Sequence, residues 1–346
     1  MAKKLTDIAG LGAVKLLDHI TKAIEAKQPS TVKGLGDDAA VTDYNGAQTV
    51  TATALLLEGV HFDLTYTPLK HLGYKTVISA INKIYAMNAK PAQVMITAGL
   101  SQRFAVEHVE ELFGGVATAC TRYGLDLVDV ALSTSLTGLT LGATATGAAP
   151  AAHLVYRSGG KPTDLLCLTG NLGAAYMGLQ LLKREKTVFE GNSSAQPQLE
   201  GYSYILERHL KPEAQKDVID LLAAHHLVPT AMISVSEGLA AGTLHLCKQS
   251  NCGARIYLER LPIASETFRM AGEMNLDAVV AALHGGDDFE LLFTLPVTLH
   301  DVVRRELQGI DVIGHLTGAG EGAHLITPDN QTIALKAQGW TTSNEQ

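Results

Sequence analysis

Positive charge is in short supply in this chain. Lysine and arginine number 27 against 35 aspartates and glutamates, for a formal net charge of −8. That balance excludes a general binder of nucleic acid or acidic membrane, while leaving room for a local basic pocket. Cysteine is scarce as well, at Cys120, Cys167, Cys247 and Cys252. Only the last two are close, and no second cluster completes a zinc site, so reduced thiols and a cytoplasmic location are expected. The opening "MAKKLTDIAGLGAVKLL" carries two lysines but no long apolar run before Asp7, and it does not read as a signal peptide. From Leu132 to Tyr156 formal charge is missing altogether, His153 apart. The length would suit a membrane span. Yet "STSLTGLTLGATATGAAPAAH" is rich in threonine, glycine and proline and alternates apolar with small polar residues. It reads as a strand, a turn and a second strand, and no membrane partner is expected.

What is present is an ordinary globular composition, 46% hydrophobic and 18% charged over 346 residues, enough for a sizeable core and about two domains. The pattern is mixed α/β. Residues 48–58, 92–101, 125–135 and 139–149 read as strands, being β-branched, short and bounded by turn residues. Between them, Val77, Ile81, Ile84 and Tyr85 share one helical face, and Val109, Leu112, Val116 and Cys120 another. A break is expected within "AAPAAHLVYRSGGKPTD", which divides the chain into 1–152 and 153–346. The second part shows a strand at 164–170, a helix "LGAAYMGLQLLKRE" and a polar surface insert "EGNSSAQPQLEGYS". A helix opening at Ser236, a strand at 254–263, a strand after the glycine pair of "HGGDDFELLFTLP" and two short closing strands follow.

Three segments could carry chemistry. "GLGDDAAV" sets Asp37 and Asp38 on a glycine-flanked turn. Such a pair either satisfies local backbone N–H groups or supplies oxygen ligands to a hard cation such as Mg²⁺. In "SVSEGLAAG", Ser236 either caps a helix, with Glu237 favoured in its first turn, or marks a phosphate site at the helix start. In "HGGDDFELLF", a tight turn explains the glycines but not the successive acids Asp287 and Asp288. His61 in "LLEGVHF" stands in an apolar run, Arg157 in "YRSGGKP" is a possible anion contact, and Trp340, the single tryptophan, is an anchor or a stacking surface.

Taken in order, "GLGDDAAV", "LLLEGVHF", "AMNAKP", "YRSGGKPTD", "SEGLAA" and "GGDDFELLF" resemble the thiamine-monophosphate kinase family, over about residues 6–340. That family belongs to the ATP-binding superfamily that includes aminoimidazole ribonucleotide synthetase. The resemblance implies a two-domain α/β fold: an N-terminal domain holding the ATP and metal site, whose sheet pairs with a second subunit's into a barrel-like homodimer core, and a C-terminal α/β domain. It also implies transfer of the γ-phosphate of ATP to thiamine monophosphate, with Mg²⁺ as cofactor. Other branches fit less well, because no cysteine precedes Cys120 and the chain ends "TTSNEQ" without one.

By the same resemblance, Asp38, Asp37, Thr53 and Glu237 fall at metal positions, Arg157, Ser236 and Tyr123 on the nucleotide side, and His61, Asp287 and Trp340 on the substrate side. The metal set is depleted. The family pattern has an Asp after Thr53, where this chain has Ala54. "NLSDIYAMNA" becomes "AINKIYAMNA", which puts Ala80 and Lys83 where Asn and Asp stand. "GGDTT" becomes "DVALS", which loses both glycines and puts Ala131 in place of Asp. "DISDGL" becomes "SVSEGL", with Ser234 and Glu237 for two acids, and "GGEDYE" becomes "GGDDFE". Phosphoryl transfer depends on metal ions that neutralise the triphosphate. Alanine cannot coordinate a cation, and lysine repels one. The side chains at 54, 83, 131 and 234 are expected to converge on one pocket, and Mg²⁺-dependent kinase activity is expected to be weak or absent. Three classes stay open: an active kinase with Asp129 standing in for the acid missing at Ala131, a non-catalytic ligand binder or partner of an active paralogue, and a scaffold without ligand.

Overall fold

The computed structural model describes residues 30–33, 37–43, 48–191 and 196–337. Gly34 to Gly36 of the first motif, part of the polar insert and Trp340 lie outside the described residues.

The first sheet is built from β1 (Thr31–Lys33), β2 (Ala40–Asp43), β3 (Gln48–Leu57), β4 (Lys90–Leu100), β5 (Asp126–Thr134) and β6 (Thr140–Ala148). Its order is β1-β2-β3-β6-β4-β5. Neighbours are antiparallel except β4 and β5, which run parallel. Alternation decides the faces: Val50, Ala52 and Leu56 of β3 and Leu141, Ala143 and Ala145 of β6 are buried, while Leu55 is exposed. The buried face meets α1 (Leu69–Tyr85) through Val77, Ile78, Ile81 and Ile84.

Helix α2 (Val106–Tyr123) makes the crossover from β4 to β5 and packs on α1. Glycine permits the close approach. A Cβ at Gly73 would sit 1.9 Å from the Leu112 carbonyl oxygen, and one at Gly115 would sit 1.8 Å from that of Lys70. Strand β5 is an edge, exposed at every residue, and it shows Leu127, Val128, Val130 and Leu132 to the outside.

The second sheet contains β7 (Leu165–Thr169), β8 (Ala231–Val235), β9 (Gly253–Tyr257), β10 (Glu290–Leu295), β11 (Ile310–Thr317), β12 (Ala323–Ile326) and β13 (Thr332–Ala334). Its order is β13-β12-β9-β11-β7-β10-β8. β12 and β9 run parallel, and the other pairs are antiparallel. Every residue of β7, β8 and β10 is buried. Alternate residues of β10 face two cores: Leu292 packs with α6 (Leu239–Ser250), whereas Leu291, Phe293 and Leu295 join the core of α1. One apolar core therefore runs from the first sheet to the second. The remaining helices are α3 (Ala174–Gly191), α4 (Ser203–Leu210), α5 (Lys216–Ala224), α7 (Ser265–Glu273), α8 (Ala278–His284) and α9 (His300–Glu306).

The strands expected at 48–58, 92–101, 125–135, 139–149 and 164–170 are present with shifted ends. Two expectations are corrected. The helix after β8 starts at Leu239 with Gly238 at its N-cap, φ 91°, so Ser236 does not cap it. The strand expected at 254–263 ends at Tyr257 and continues as a single 3₁₀ turn, Leu258–Arg260. Helices α4, α5, α7, α8 and α9 were not expected. Each is nine residues or fewer, too short to establish a 3.6-residue period against its flanks.

Candidate functional site

Three chain segments meet where α1 passes between the sheets. The turn before β2 presents Asp37 and Asp38. Both acids face Arg157: its Nε donates to Asp38 Oδ2 at 3.0 Å and its backbone N–H to Asp37 Oδ1 at 2.7 Å. Asp37 also pairs with Lys33 at 3.2 Å, and burial nevertheless raises its carboxyl above the usual range.

Lys83 comes from the last turn of α1. Its Nζ donates to the Thr53 carbonyl oxygen at 2.8 Å. It lines a cavity of about 400 Å³ together with Thr53, Ala54, Thr97, Gly142 and Thr144. Burial pulls its pKa down, Asp38 and Glu237 pull it up, and Arg157 opposes them. Ser234 is buried at the end of β8, where its Oγ accepts from Asn82 Nδ2 at 2.8 Å. Asn82 also donates to Phe289 O and accepts from the Gln215 N–H.

The turn Gly285 to Phe289 explains its paired acids. Gly286, Asp287 and Phe289 have φ of 74°, 59° and 53°, a conformation that non-glycine residues hold only when their surroundings impose it. Here the Asp287 N–H donates to Ser236 O and the Phe289 N–H to Val235 O. Asp287 turns outward, its side chain 41% exposed and 2.8 Å from the buried Lys75 ammonium. Its carboxyl stays below the usual range: burial raises it, and Lys75, His209 and His61 more than offset that. Asp288 turns inward and accepts from the Gly173 and Ala175 N–H groups at the start of α3. Burial pushes Asp288 up to about 7 against the pull of Arg208. Glu290 is raised for the same reason. It binds Arg208 Nη2 at 2.7 Å and also receives Thr169 and Gln215.

The expected residues divide into two sets. Asp37, Asp38, Arg157, Lys83 and Glu237 form one electrostatic neighbourhood. Asp287 and His61 form another. His61 is exposed, and its Nδ1 accepts the Leu57 N–H at 3.1 Å, so a neutral ring carries its proton on Nε2.

One expectation fails. The positions 54, 83, 131 and 234 do not share one pocket: Ala54 and Lys83 line the cavity, Ser234 is buried against Asn82, and Ala131 lies on exposed β5 beside Thr97. A strand pair separates neighbours by about 4.8 Å, so Ala131 stands one strand beyond the lining. Asp129 shares its face but pairs with Met95, further along. Tyr123, expected on the nucleotide side, gives its hydroxyl to Glu213 at 2.6 Å and accepts the Ala214 N–H at 2.8 Å. Lys75, Asn82 and Arg208 were missed. Polar side chains on otherwise apolar helical faces were the available signal.

The donors present do not fit a Mg²⁺ centre. Asp38 is held by a guanidinium and Asp37 by Arg157 and Lys33, while Lys83 brings an ammonium to the cavity. Among the described residues no three His, Cys, Asp or Glu side chains are grouped so as to hold a metal ion.

Residues 36–149 match the family described as AIR synthase related protein, N-terminal domain. The thiamine-monophosphate kinase of Synechococcus elongatus is 31% identical over 266 residues, covering 75% of this chain and 76% of its own. That of Aquifex aeolicus is 29% identical over 286 residues, covering 83% and 86%. The solved structure of AaThiL complexed with AMPPCP and TMP is similar with a TM-score of 0.80 and 26% identity, covering 96% of this chain and 97% of that one. With two α/β sheets in this arrangement and relatives matched over most of their length, the chain belongs to the thiamine-monophosphate kinase family of the AIR synthase-like superfamily.

Proposed function

We propose that this protein keeps the ligand-binding frame of a thiamine-monophosphate kinase but does not run the Mg²⁺-dependent transfer of phosphate from ATP to thiamine monophosphate at an ordinary rate. The observation that carries this is Lys83, whose ammonium lies against Thr53 O on a cavity where the family pattern has a carboxylate. A cation there repels a metal ion, at a cost that grows as the site is desolvated. The carboxylates nearby are already paired to Arg157 and Lys33.

The protein would then act as a non-catalytic binder. A relative's complex with AMPPCP and TMP supports both ligand classes. ATP would lie on the side of Arg157 and Ser236, with Lys83 taking a phosphate through its remaining N–H donors. Thiamine monophosphate would lie on the side of His61 and Asp287. The boundary at 152/153 separates the two domains in this reading. The exposed apolar edge β5 supports a homodimer formed through the first sheet. The protein would be cytoplasmic.

Turnover of ATP and thiamine monophosphate by purified protein, with and without Mg²⁺, tests the proposal. Steady-state conversion at about 1 s⁻¹ or faster, an ordinary enzyme rate, would overturn it. Phosphate-ligand binding that is unchanged by EDTA would support it.

A further inference from the structure

We infer that Lys75 is a positioning and specificity residue, which fixes Asp287 as an acceptor-only group that selects a hydrogen-bond donor in the ligand. The inference rests on the reading above, in which the ligand is thiamine monophosphate and Asp287 lies on its side of the site.

The geometry is one of unequal exposure. The Lys75 side chain is 5% exposed and that of Asp287 41%, although they stand 212 residues apart in sequence. Lys75 therefore supports the acid from behind. It takes Oδ2 at 2.8 Å and gives a second hydrogen bond to the backbone oxygen of His209 at 3.2 Å. The backbone of Asp287, left-handed and bonded to Ser236 O, sets the direction of the carboxylate. Its second oxygen is thus carried on the half-exposed side.

The groups acting on Asp287 are Lys75 from α1, His209 from α4 and His61 from the loop after β3. Lys183 of α3 faces His209 in turn. Burial and Lys75 pull the pKa of His209 down to about 3. The ammonium in direct contact with Asp287 is that of Lys75, at 2.8 Å.

An ionised carboxylate accepts hydrogen bonds and cannot donate them. A ligand that covers Asp287 removes it from water. Covering a neutral ammonium–carboxylate pair costs less than covering a lone anion. Lysine is almost never fully buried unless paired, and the buried Lys75 is paired to Asp287. The acceptor-only character then reads the ligand. Thiamine monophosphate carries one N–H donor group, the exocyclic amine of its pyrimidine ring. Its 4-oxo analogue places a carbonyl, an acceptor, at that position.

Calorimetric titration of the full chain with both compounds at pH 7 tests this, using the wild type, Lys75→Met and Lys75→Arg. The wild type should prefer the amine by about 10- to 100-fold, the range for a hydrogen bond to a charged group. Lys75→Met should bring that preference near unity, and Lys75→Arg should restore most of it. A purely structural Lys75 would weaken both ligands equally and leave the ratio intact, which would overturn the inference. If Lys75→Met does not fold, Asp287→Asn decides: an amide donates as well as accepts, so the preference should collapse there, and its persistence overturns the inference. Equal binding of both compounds by the wild type overturns the inference and leaves the proposed function standing. Binding of neither overturns the proposed function itself.

Discussion

The ammonium of Lys83 lies 2.8 Å from the carbonyl oxygen of Thr53, so the last turn of α1 is bonded to β3 at the rim of the cavity. A positive group is thereby held in place between two of the elements that line the cavity. The family pattern puts carboxylates at 54 and 83. Their combined return should be enough to change the response to metal. The double variant Ala54→Asp, Lys83→Asp should gain a Mg²⁺-dependent rise in melting temperature in the presence of ATP, while the wild type should respond to ATP equally with Mg²⁺ or EDTA. A thermal-shift panel reads both, since ligand binding to the folded state raises its stability. An identical panel for the two proteins would count against the role given to Lys83.

Arg208 bridges Glu290 Oε1 and the backbone oxygens of Asp288 and Asn171. Two buried acids share this one cation. Arg208→Met should destabilise the fold by about 3–5 kcal/mol, the cost of leaving a buried charge without its partner. Urea denaturation measures it. A loss below 1 kcal/mol would mean that the network is solvated.

The same network gives a pH dependence of defined sign. Burial raises Asp288 to about 7, above the carboxylate range of an unfolded chain. The folded state then binds more protons than the unfolded one between about pH 4 and 7, so this contribution to stability is complete at the low end and lost as pH rises. Relative to Asp288→Asn, the wild type should lose stability with a slope of up to ~1.4 kcal/mol per pH unit across that window. Acids held low by their partners, Asp287 by Lys75 and Glu213 by the Tyr123 and Tyr74 hydroxyls, act in the opposite direction, which is why the comparison is made with a single-site variant. A difference independent of pH would place Asp288 in its ionised form throughout.

Helices α1 and α2 touch through glycine. With 1.9 Å between a Gly73 Cβ and the Leu112 oxygen, Gly73→Ala forces the helices apart. About 1–3 kcal/mol or more should be lost, as for an overpacked core. Gly114→Ala, with nothing within 4 Å, should be neutral or slightly stabilising because alanine favours helix. Thermal unfolding of the pair compares a tightly packed glycine of α1 with an open one of α2.

Tyr123 was expected to touch nucleotide, and its hydroxyl serves Glu213 and Ala214 instead. Tyr123→Phe leaves both without that partner and should cost about 1–2 kcal/mol. Affinity for ATP should be unchanged. A specific loss of ATP binding at constant stability would return Tyr123 to the nucleotide side.

Much of the site's chemistry was readable before its shape. The replacements at Ala54, Lys83, Ala131 and Ser234 needed only the order of motifs. The strands β3 to β7 were readable because β-branched runs bounded by turn residues are local signals. Helices such as α4 and α5 were not, being two turns long. The pairing of Lys75 with Asp287 was illegible, since nothing near either residue names the other.

The sequence by itself determined the alternation that buries one face of β3 and β6, the apolar stripe of α1, and the loss of acids from the motifs. Each of these is set by residue identity within a few positions. Only the tertiary structure decided that neighbouring Asp287 and Asp288 have opposite surroundings, that Asp38 is held by a guanidinium 119 residues away, and that Ala131 stands one strand outside the cavity. Those outcomes depend on burial and on partners brought together from distant segments. A change of one residue along a turn or strand reverses the direction of a side chain, and it is packing that sets which direction meets a charge.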